Sequence, residues 1–278
     1  MSSILPFQPD HDMIATGSYD YSHRLAERIG QFIIDADTNS PRSQQRAIGP
    51  SEVGEPCERQ LSYKILDWPE TNTNRDPIAA IIGTGFHLWI GEKFEERNTA
   101  LGGTRYKIED RVTVRDSPIE TARLSGSADL FDRLLAANLD WKLVGQSSLD
   151  KYRRQGPGEK YRIQAHLYGL GQENAGESVT RVVIVFIARY HELRVHVWSE
   201  PYDRTIALDA LARLDRIRQQ VLDLDPESHP ERWHQIPTPE KPTCRFCPWL
   251  KPGSTDLSAG CPGAQNTNAG ASLEALIA

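Results

Sequence analysis

The 278-residue sequence predicts an α/β domain built on a mixed β-sheet flanked by helices. Three observations lead there. Residues 77–98 and 203–224 carry apolar side chains at helical spacing. Between them, residues 107–115, 121–134 and 138–144 read as three successive strands, near enough in sequence to form a meander. A further helical run, 159–172, then separates the meander from two more strands, 181–189 and 193–199. Periodicity alone leaves α/β and α+β both open.

The elements follow in order. The opening MSSILPFQPDHD has neither a basic start nor an apolar core, so no secretory signal is expected. Residues 19–36 suit an amphipathic helix with Leu25, Ile29, Phe32 and Ile33 on one face. The polar stretch 38–49 reads as a linker. Ser51 is placed to cap a helix carrying Cys57, Leu61, Tyr63 and Ile65. Within 77–98 the apolar positions are Ile78, Ile81, Ile82, Leu88 and Phe94. Gly83, Gly85 and Gly91 weaken that helix, as expected where another backbone or a DNA strand must come close. Residues 145–158, with Gly, Ser and Pro, are expected to be a loop, and a tight turn is expected near 190–192. The helix 203–224 carries Ile206, Leu211, Leu214, Ile217 and Val221. After Pro226 the chain becomes loop-rich and holds three cysteines, and the tail from Gly263 is expected to be disordered. The division this implies is a helical region over 1–76, a core over 77–225, a cysteine module over 226–262 and a tail over 263–278.

Charged residues make up 25% and hydrophobic ones 38%, the balance of an ordinary soluble protein. The longest strongly apolar run, 182–188, is far short of a membrane span, and a cytosolic location is expected. The net charge of −6 argues against coating nucleic acid by bulk charge, but the distribution is uneven. Between 142 and 162 stand Lys142, Lys151, Arg153, Arg154, Lys160 and Arg162 against Asp150 and Glu159. That is a basic excess of four, suited either to a phosphate backbone or to a solvated surface.

The stretch richest in chemistry is NLDWKLVG, residues 138–145. On a strand Asp140 and Lys142 project from one face, with Leu139, Trp141 and Leu143 on the other. An acid and a lysine on an apolar strand are costly to desolvate unless they are used. A carboxylate holding a divalent cation beside an ammonium that stabilises developing charge is one such use. Asp129 stands upstream, where a hairpin would return it to the same cation. Gln164 and Tyr168, four apart, share a helix face. Cys244-x-x-Cys247 brings two thiolates to one centre; Cys261 follows, and Cys57 is far upstream. A zinc ribbon needs a second pair nearby, although His229 or His234 could complete a zinc site. A disulfide is not expected in a cytosolic chain.

Taken together, Asp129 after Gly126-x-Ala128, Asp140-x-Lys142, Gln164-x-x-x-Tyr168 and His87 in GTGFHLWIGEKFEE resemble the PD-(D/E)XK nuclease superfamily. Cys57, Cys244, Cys247 and Cys261 narrow the likeness to the RecB-like branch with an iron–sulfur cluster, which includes CRISPR-associated adaptation nucleases and related phage exonucleases. The resemblance runs from about Ser51 to Cys261. Two positions depart from it: Ala128 stands where the superfamily name has Pro, and Leu143 where the branch often has Thr or Ser.

The resemblance implies a restriction-endonuclease-like core. It also implies a Mg²⁺ or Mn²⁺ site formed by His87, Asp129, Asp140 and the Trp141 carbonyl, with the imidazole tilting preference toward Mn²⁺. Lys142 would position the attacking water or stabilise phosphate charge, Gln164 would support the metal shell, and Tyr168 would contact substrate. The four cysteines would hold a [4Fe–4S] cluster, beside Arg59, that ties the first helices to the C-terminal module. The implied activity is DNA exonuclease on single strands or ends, in recombination, repair or CRISPR adaptation, with Lys151, Arg153, Arg154 and Lys160 along the phosphates. Expected partners are DNA and a helicase, recombinase or adaptation protein, with homo-oligomerisation open. A DNA-end binder that keeps the cluster but has lost catalysis is the alternative, and the complete set of candidate catalytic residues stands against it.

Overall fold

Residues 18–40, 46–72, 76–119, 122–190 and 192–263 are described by a computed structural model. The expectations for the N-terminal seventeen residues, for the middle of the linker and for the tail beyond Gly263 lie outside these residues. The chain divides into two compact units, one over Met1–Gln45 and Asp76–Ile81, the other over Arg46–Arg75 and Ile82–Ala278. In the first, α1 (Ser18–Thr38) forms where the helical periodicity lies.

The second unit is organised on five strands: β1 (Tyr106–Arg115), β2 (Leu124–Asp132), β3 (Ala137–Val144), β4 (Arg181–Ala188) and β5 (Val195–Pro201), in spatial order 1-2-3-4-5. The first three are an antiparallel meander, β3 and β4 are parallel, and β4 and β5 are antiparallel. A parallel pair needs a long crossover. Here it consists of α5 (Gln146–Gln155) and α6 (Glu159–Asn174). The sequence of β4, RVVIVFIA, is apolar on both faces because both are covered. One face packs Val183 and Val185 with Leu130 and Trp141 under Phe86, Ile90 and Phe94 of α4 (Ile78–Leu101). The other packs Val182, Ile184 and Phe186 against Leu149 and Ala165. Behind α6 lies α7 (Arg204–Leu224), whose Leu214 and Ile217 join Leu167 and Leu170 in one cluster. Asp203 caps α7 by accepting from the Thr205 N–H. Each such fully buried side chain contributes about 1.5–3 kcal/mol.

The β1–β2 hairpin passes from one layer to the other. Ile108 lies against α4, so near that a Cβ added at Gly91 would come 3.2 Å from it. Val112, four residues on, lies against α6, where a Cβ added at Gly171 would come 2.5 Å from it. A regular strand would keep both on one face. Glu109 between them has φ +47°, and this left-handed residue turns the pleat over. The partner strand does the same across Asp129: Leu130 joins the α4 side, whereas Ala128 packs on Tyr168 of α6.

Two expectations are corrected. Residues 146–155 are the helix α5 and not a loop, because Leu149 and Tyr152 pack onto Phe186 and offset the flanking glycines. Cys57 does not lie within a helix capped by Ser51. Gly49 caps the short α2 (Pro50–Val53), and Cys57 itself is the N-cap of α3 (Glu58–Ile65).

After α7 a 3-10 helix (Pro230–Gln235) leads into the cysteine module. Its core is aromatic: Tyr63 of α3 stacks on Trp233 at 4.2 Å and on Trp249 at 5.5 Å between centroids. Tyr63 Oη donates to the Leu257 carbonyl at 2.5 Å, Trp68 Nε1 to Ser258 O at 2.8 Å, and Trp249 Nε1 to Trp68 O at 2.9 Å. The module is thus clamped to α3 by buried polar pairs as well as apolar area.

Candidate active site

Pairing between β2 and β3 is confined to Leu130↔Leu139, Phe131↔Asn138 and Asp132↔Ala137. Asp129 and Asp140 follow immediately, where the two strands part. In this fork the Trp141 N–H donates to Asp129 Oδ2 at 2.7 Å, so a side chain takes the place of a ladder partner. Asp140 Oδ1 accepts from Gln164 Nε2 at 2.7 Å, and its Oδ2 pairs with Lys142 Nζ at 2.6 Å. Lys142 also sits over the Tyr161 ring, 5.1 Å from its centroid. The strand alternation therefore does put Asp140 and Lys142 on one face, toward α6.

His87 comes from α4 on the other side of the fork. Its Nδ1 is 3.5 Å from Asp129 Oδ1 and 3.2 Å from Glu109 Oε1. His87, Glu109 and Asp129 offer three ligand atoms within 4.8 Å of one another, the one such group among the described residues. Sequence reasoning missed Glu109, and the strand pattern around it carries no local mark of a site residue. The only usable signal was register, which sets it opposite Asp129 between the pairs Ile108↔Leu130 and Asp110↔Ala128.

Negative charge is crowded here. Burial, reinforced by the charge of Asp140, pushes the Asp129 carboxyl up to about 7 despite His87 and Lys142. Burial alone would hold the His87 pKa down, but the hydrogen bond to Glu109 and the neighbouring carboxylates outweigh it and raise it. Burial and Asp140 likewise raise Tyr161. Two carboxylates confined with an imidazole form a hard, oxygen-rich donor set that suits Mg²⁺ or Mn²⁺.

The remaining expected residues are placed as follows. Tyr168 is 6% exposed, its ring on Val112 and Ala128. A Cβ at Gly126 would meet its Oη at 3.1 Å, so the tyrosine backs the strand that carries Asp129. Lys151, Arg153 and Arg154 are exposed on α5. Arg153 and Arg154 also occupy its last turn, where cations suit the helix dipole. Lys160 is engaged by Glu55 at 2.7 Å, which ties α6 to the segment just before Cys57.

Cys57, Cys244, Cys247 and Cys261 line one cavity of about 540 Å³. The Cys247 N–H donates to Cys244 O at 2.9 Å, forming the turn, and the Cys261 N–H donates to Trp249 O at 2.8 Å. Arg59 Nη1 points at Cys261 Sγ from 3.9 Å. Burial, with the other three sulfurs, pushes the Cys247 thiol up to about 12, so thiolates here call for a compensating cationic centre. Among the described residues no three of these sulfurs fall within 4.8 Å of one another. Tetrahedral zinc would need sulfurs about 3.8 Å apart, given Zn–S bonds of about 2.3 Å.

No family model and no curated protein matches the chain. Solved structures do. It is similar to SSO0001 at 16% identity over 79% of this chain and 92% of that one, with a TM-score of 0.42. It is similar to an alkaline exonuclease (LHK-Exo) from Laribacter hongkongensis at 10% identity over 70% and 97%, TM-score 0.45. A phage related exonuclease from Haemophilus somnus 129PT is similar at 12% identity over 64% and 95%, TM-score 0.39.

Proposed function

We propose that this chain is a divalent-metal-dependent deoxyribonuclease acting on single strands or DNA ends. The observation that carries the reading is the fork itself: Lys142 Nζ held 2.6 Å from a buried Asp140, with Asp129 and His87 beside them. His87, Asp129 and Asp140, with the Trp141 carbonyl, would hold Mg²⁺ or Mn²⁺. When bound there, such a cation would supply Lewis-acid polarisation of the phosphate and a water of lowered pKa. Lys142 is positioned by Asp140 and the Tyr161 ring to meet charge that develops on the phosphate. Gln164 fixes the Asp140 carboxylate, and Tyr168 supports the β2 backbone leading to Asp129.

Lys151, Arg153 and Arg154 would follow the phosphates of a strand crossing α5. Lys160, already paired with Glu55, acts as a clasp between α6 and the segment that delivers Cys57. The four cysteines would hold a [4Fe–4S] cluster, a reading supported by the one cavity they share. Such a cluster gives four-point attachment between α3 and the C-terminal module. On this reading residues 77–225 are the nuclease core, 226–262 the cluster module and 1–76 the region that delivers Cys57. The work would be exonucleolytic, in recombination, repair or spacer capture, alongside a helicase, recombinase or adaptation partner in the cytoplasm.

The test is degradation of end-labelled single-stranded DNA in Mn²⁺ by the wild type and Asp140→Asn. Cleavage that is lost in the variant and in chelator supports the reading. A wild type that binds DNA but leaves it intact at all Mn²⁺ and Mg²⁺ concentrations would make the chain a non-catalytic end binder.

A further inference from the structure

Glu109 stands in the middle of β1 with φ +47°, and across from it Asp129 falls in a gap between two paired positions. On β1 the pleat reverses at this left-handed residue, whereas β2 reverses across Asp129 without one. Glycine adopts that conformation without strain, and asparagine or aspartate tolerate it through short polar side chains. Glutamate has neither advantage, so the backbone need alone does not account for it. What glutamate adds is a long carboxylate, and that carboxylate reaches the site: Oε1 lies 3.2 Å from His87 Nδ1.

The other acids leave room for it. Asp129 is 9% exposed, and the Trp141 N–H occupies its Oδ2, which leaves Oδ1 directed at His87 and Glu109. Asp140 Oδ1 accepts from Gln164, while its buried Oδ2 lies 2.6 Å from the Lys142 ammonium without a hydrogen bond of its own. The donor atoms that converge on one another on the open side are His87 Nδ1, Glu109 Oε1 and Asp129 Oδ1. The Glu109 side chain is 42% exposed, against 24% for His87, so it approaches from the open side of the fork.

We infer that Glu109 is a direct ligand of the divalent cation, closing the open side of the site with a third carboxylate; this rests on the metal-dependent nuclease reading above. Glycine at this position would be easier for the fold and worse for the cation. The strained backbone is kept because the side chain it displays binds metal.

The test uses the full chain and Mn²⁺ alone, by calorimetry and by water-proton relaxation of the bound Mn²⁺, with Glu109→Gly, Glu109→Gln and Asp129→Asn. Both Glu109 variants should bind Mn²⁺ at least about tenfold more weakly. In each, relaxation should report about one additional inner-sphere water on the bound ion, because a vacated ligand position refills with water. In chelator, Glu109→Gly should melt about 2–4 °C above wild type as strain is relieved. Glu109 variants binding within twofold of wild type, while Asp129→Asn loses binding, would overturn the inference and leave the nuclease reading intact. Weaker binding with an unchanged water count would also overturn it, making Glu109 a holder of the His87 ring. A wild type that takes up no Mn²⁺ would overturn both.

Discussion

Truncating Lys142 to alanine separates cation holding from catalysis. Its ammonium lies 2.6 Å from Asp140 Oδ2, with the two side chains 18% and 3% exposed. The variant leaves a buried carboxylate whose hydrogen-bond donor is the Gln164 amide. Breaking one side of a buried ion pair costs about 3–5 kcal/mol. In chelator at pH 7 the variant should therefore lose about 3–5 kcal/mol, a fall of roughly 10 °C in Tm for a chain of this size. Mn²⁺ restores the missing positive charge, so the deficit should shrink on titration and Mn²⁺ affinity should hold or tighten. Cleavage should not recover. A single well-placed donor acting on transition-state charge is worth about 3–4 kcal/mol, roughly a hundred- to a thousandfold in rate. Scanning calorimetry in chelator and in Mn²⁺, Mn²⁺ titration and single-turnover cleavage read the three effects separately. Near-normal cleavage by Lys142→Ala would mean that Asp140 and Lys142 are a structural pair, and the active-site assignment would be withdrawn.

Protein purified without oxygen should be brown and hold about four irons and four sulfides. Cys57→Ala should lose iron and soluble yield together, whereas colourless protein with stoichiometric zinc would refute the cluster. Single-stranded DNA binding should weaken steeply with salt, and neutralising Arg153 and Arg154 together should flatten the slope by roughly one to two units. An unchanged slope would put the DNA path elsewhere. Asp129 has a folded-state pKa of about 7, raised from the model-compound 3.8, so its contribution to stability is present below about pH 4 and is lost as pH rises through 7. In chelator, wild-type Tm should fall across that interval relative to Asp129→Asn, and wild-type Mn²⁺ affinity should rise with pH as the proton leaves. Parallel melting profiles for the two proteins would refute the burial argument.

How legible all this was in the sequence depended on whether neighbours along the chain or neighbours across it decided the outcome. The strands 138–144 and 181–189 and the helix 203–224 were readable because alternation or a helical stripe is written into consecutive residues. Asp140 and Lys142 were readable for the same reason. The helix α5 was not, since its stability comes from Leu149 and Tyr152 meeting Phe186, thirty-odd residues away in sequence, while its own ends look like turns. Cys57 was recognisable as a cysteine of interest but not as a cap, because the helix break at Gly54 and Pro56 is decided by packing. Gly54 faces Lys160 of α6 so closely that a Cβ would come 2.8 Å from its carbonyl oxygen. Glu109 was the least legible, since its importance lies in a backbone angle and a cross-strand partner twenty residues on.

The clamp between α3 and the C-terminal module also sets a timetable. Tyr63 and the Leu257 carbonyl it donates to are 194 residues apart in sequence. At about 5–20 residues per second, a ribosome takes about 10–40 s to travel that distance. Throughout that interval the nascent chain displays the Tyr63 and Trp68 rings and a solitary Cys57 with no cover, while the intervening sheet and helices are already long enough to fold. Closure by Trp233, Trp249 and the last three cysteines can come only when synthesis is nearly finished. A pause or a premature stop after α7 would therefore release a folded core with an unsealed aromatic surface, the state in which this chain is most exposed to aggregation and to degradation.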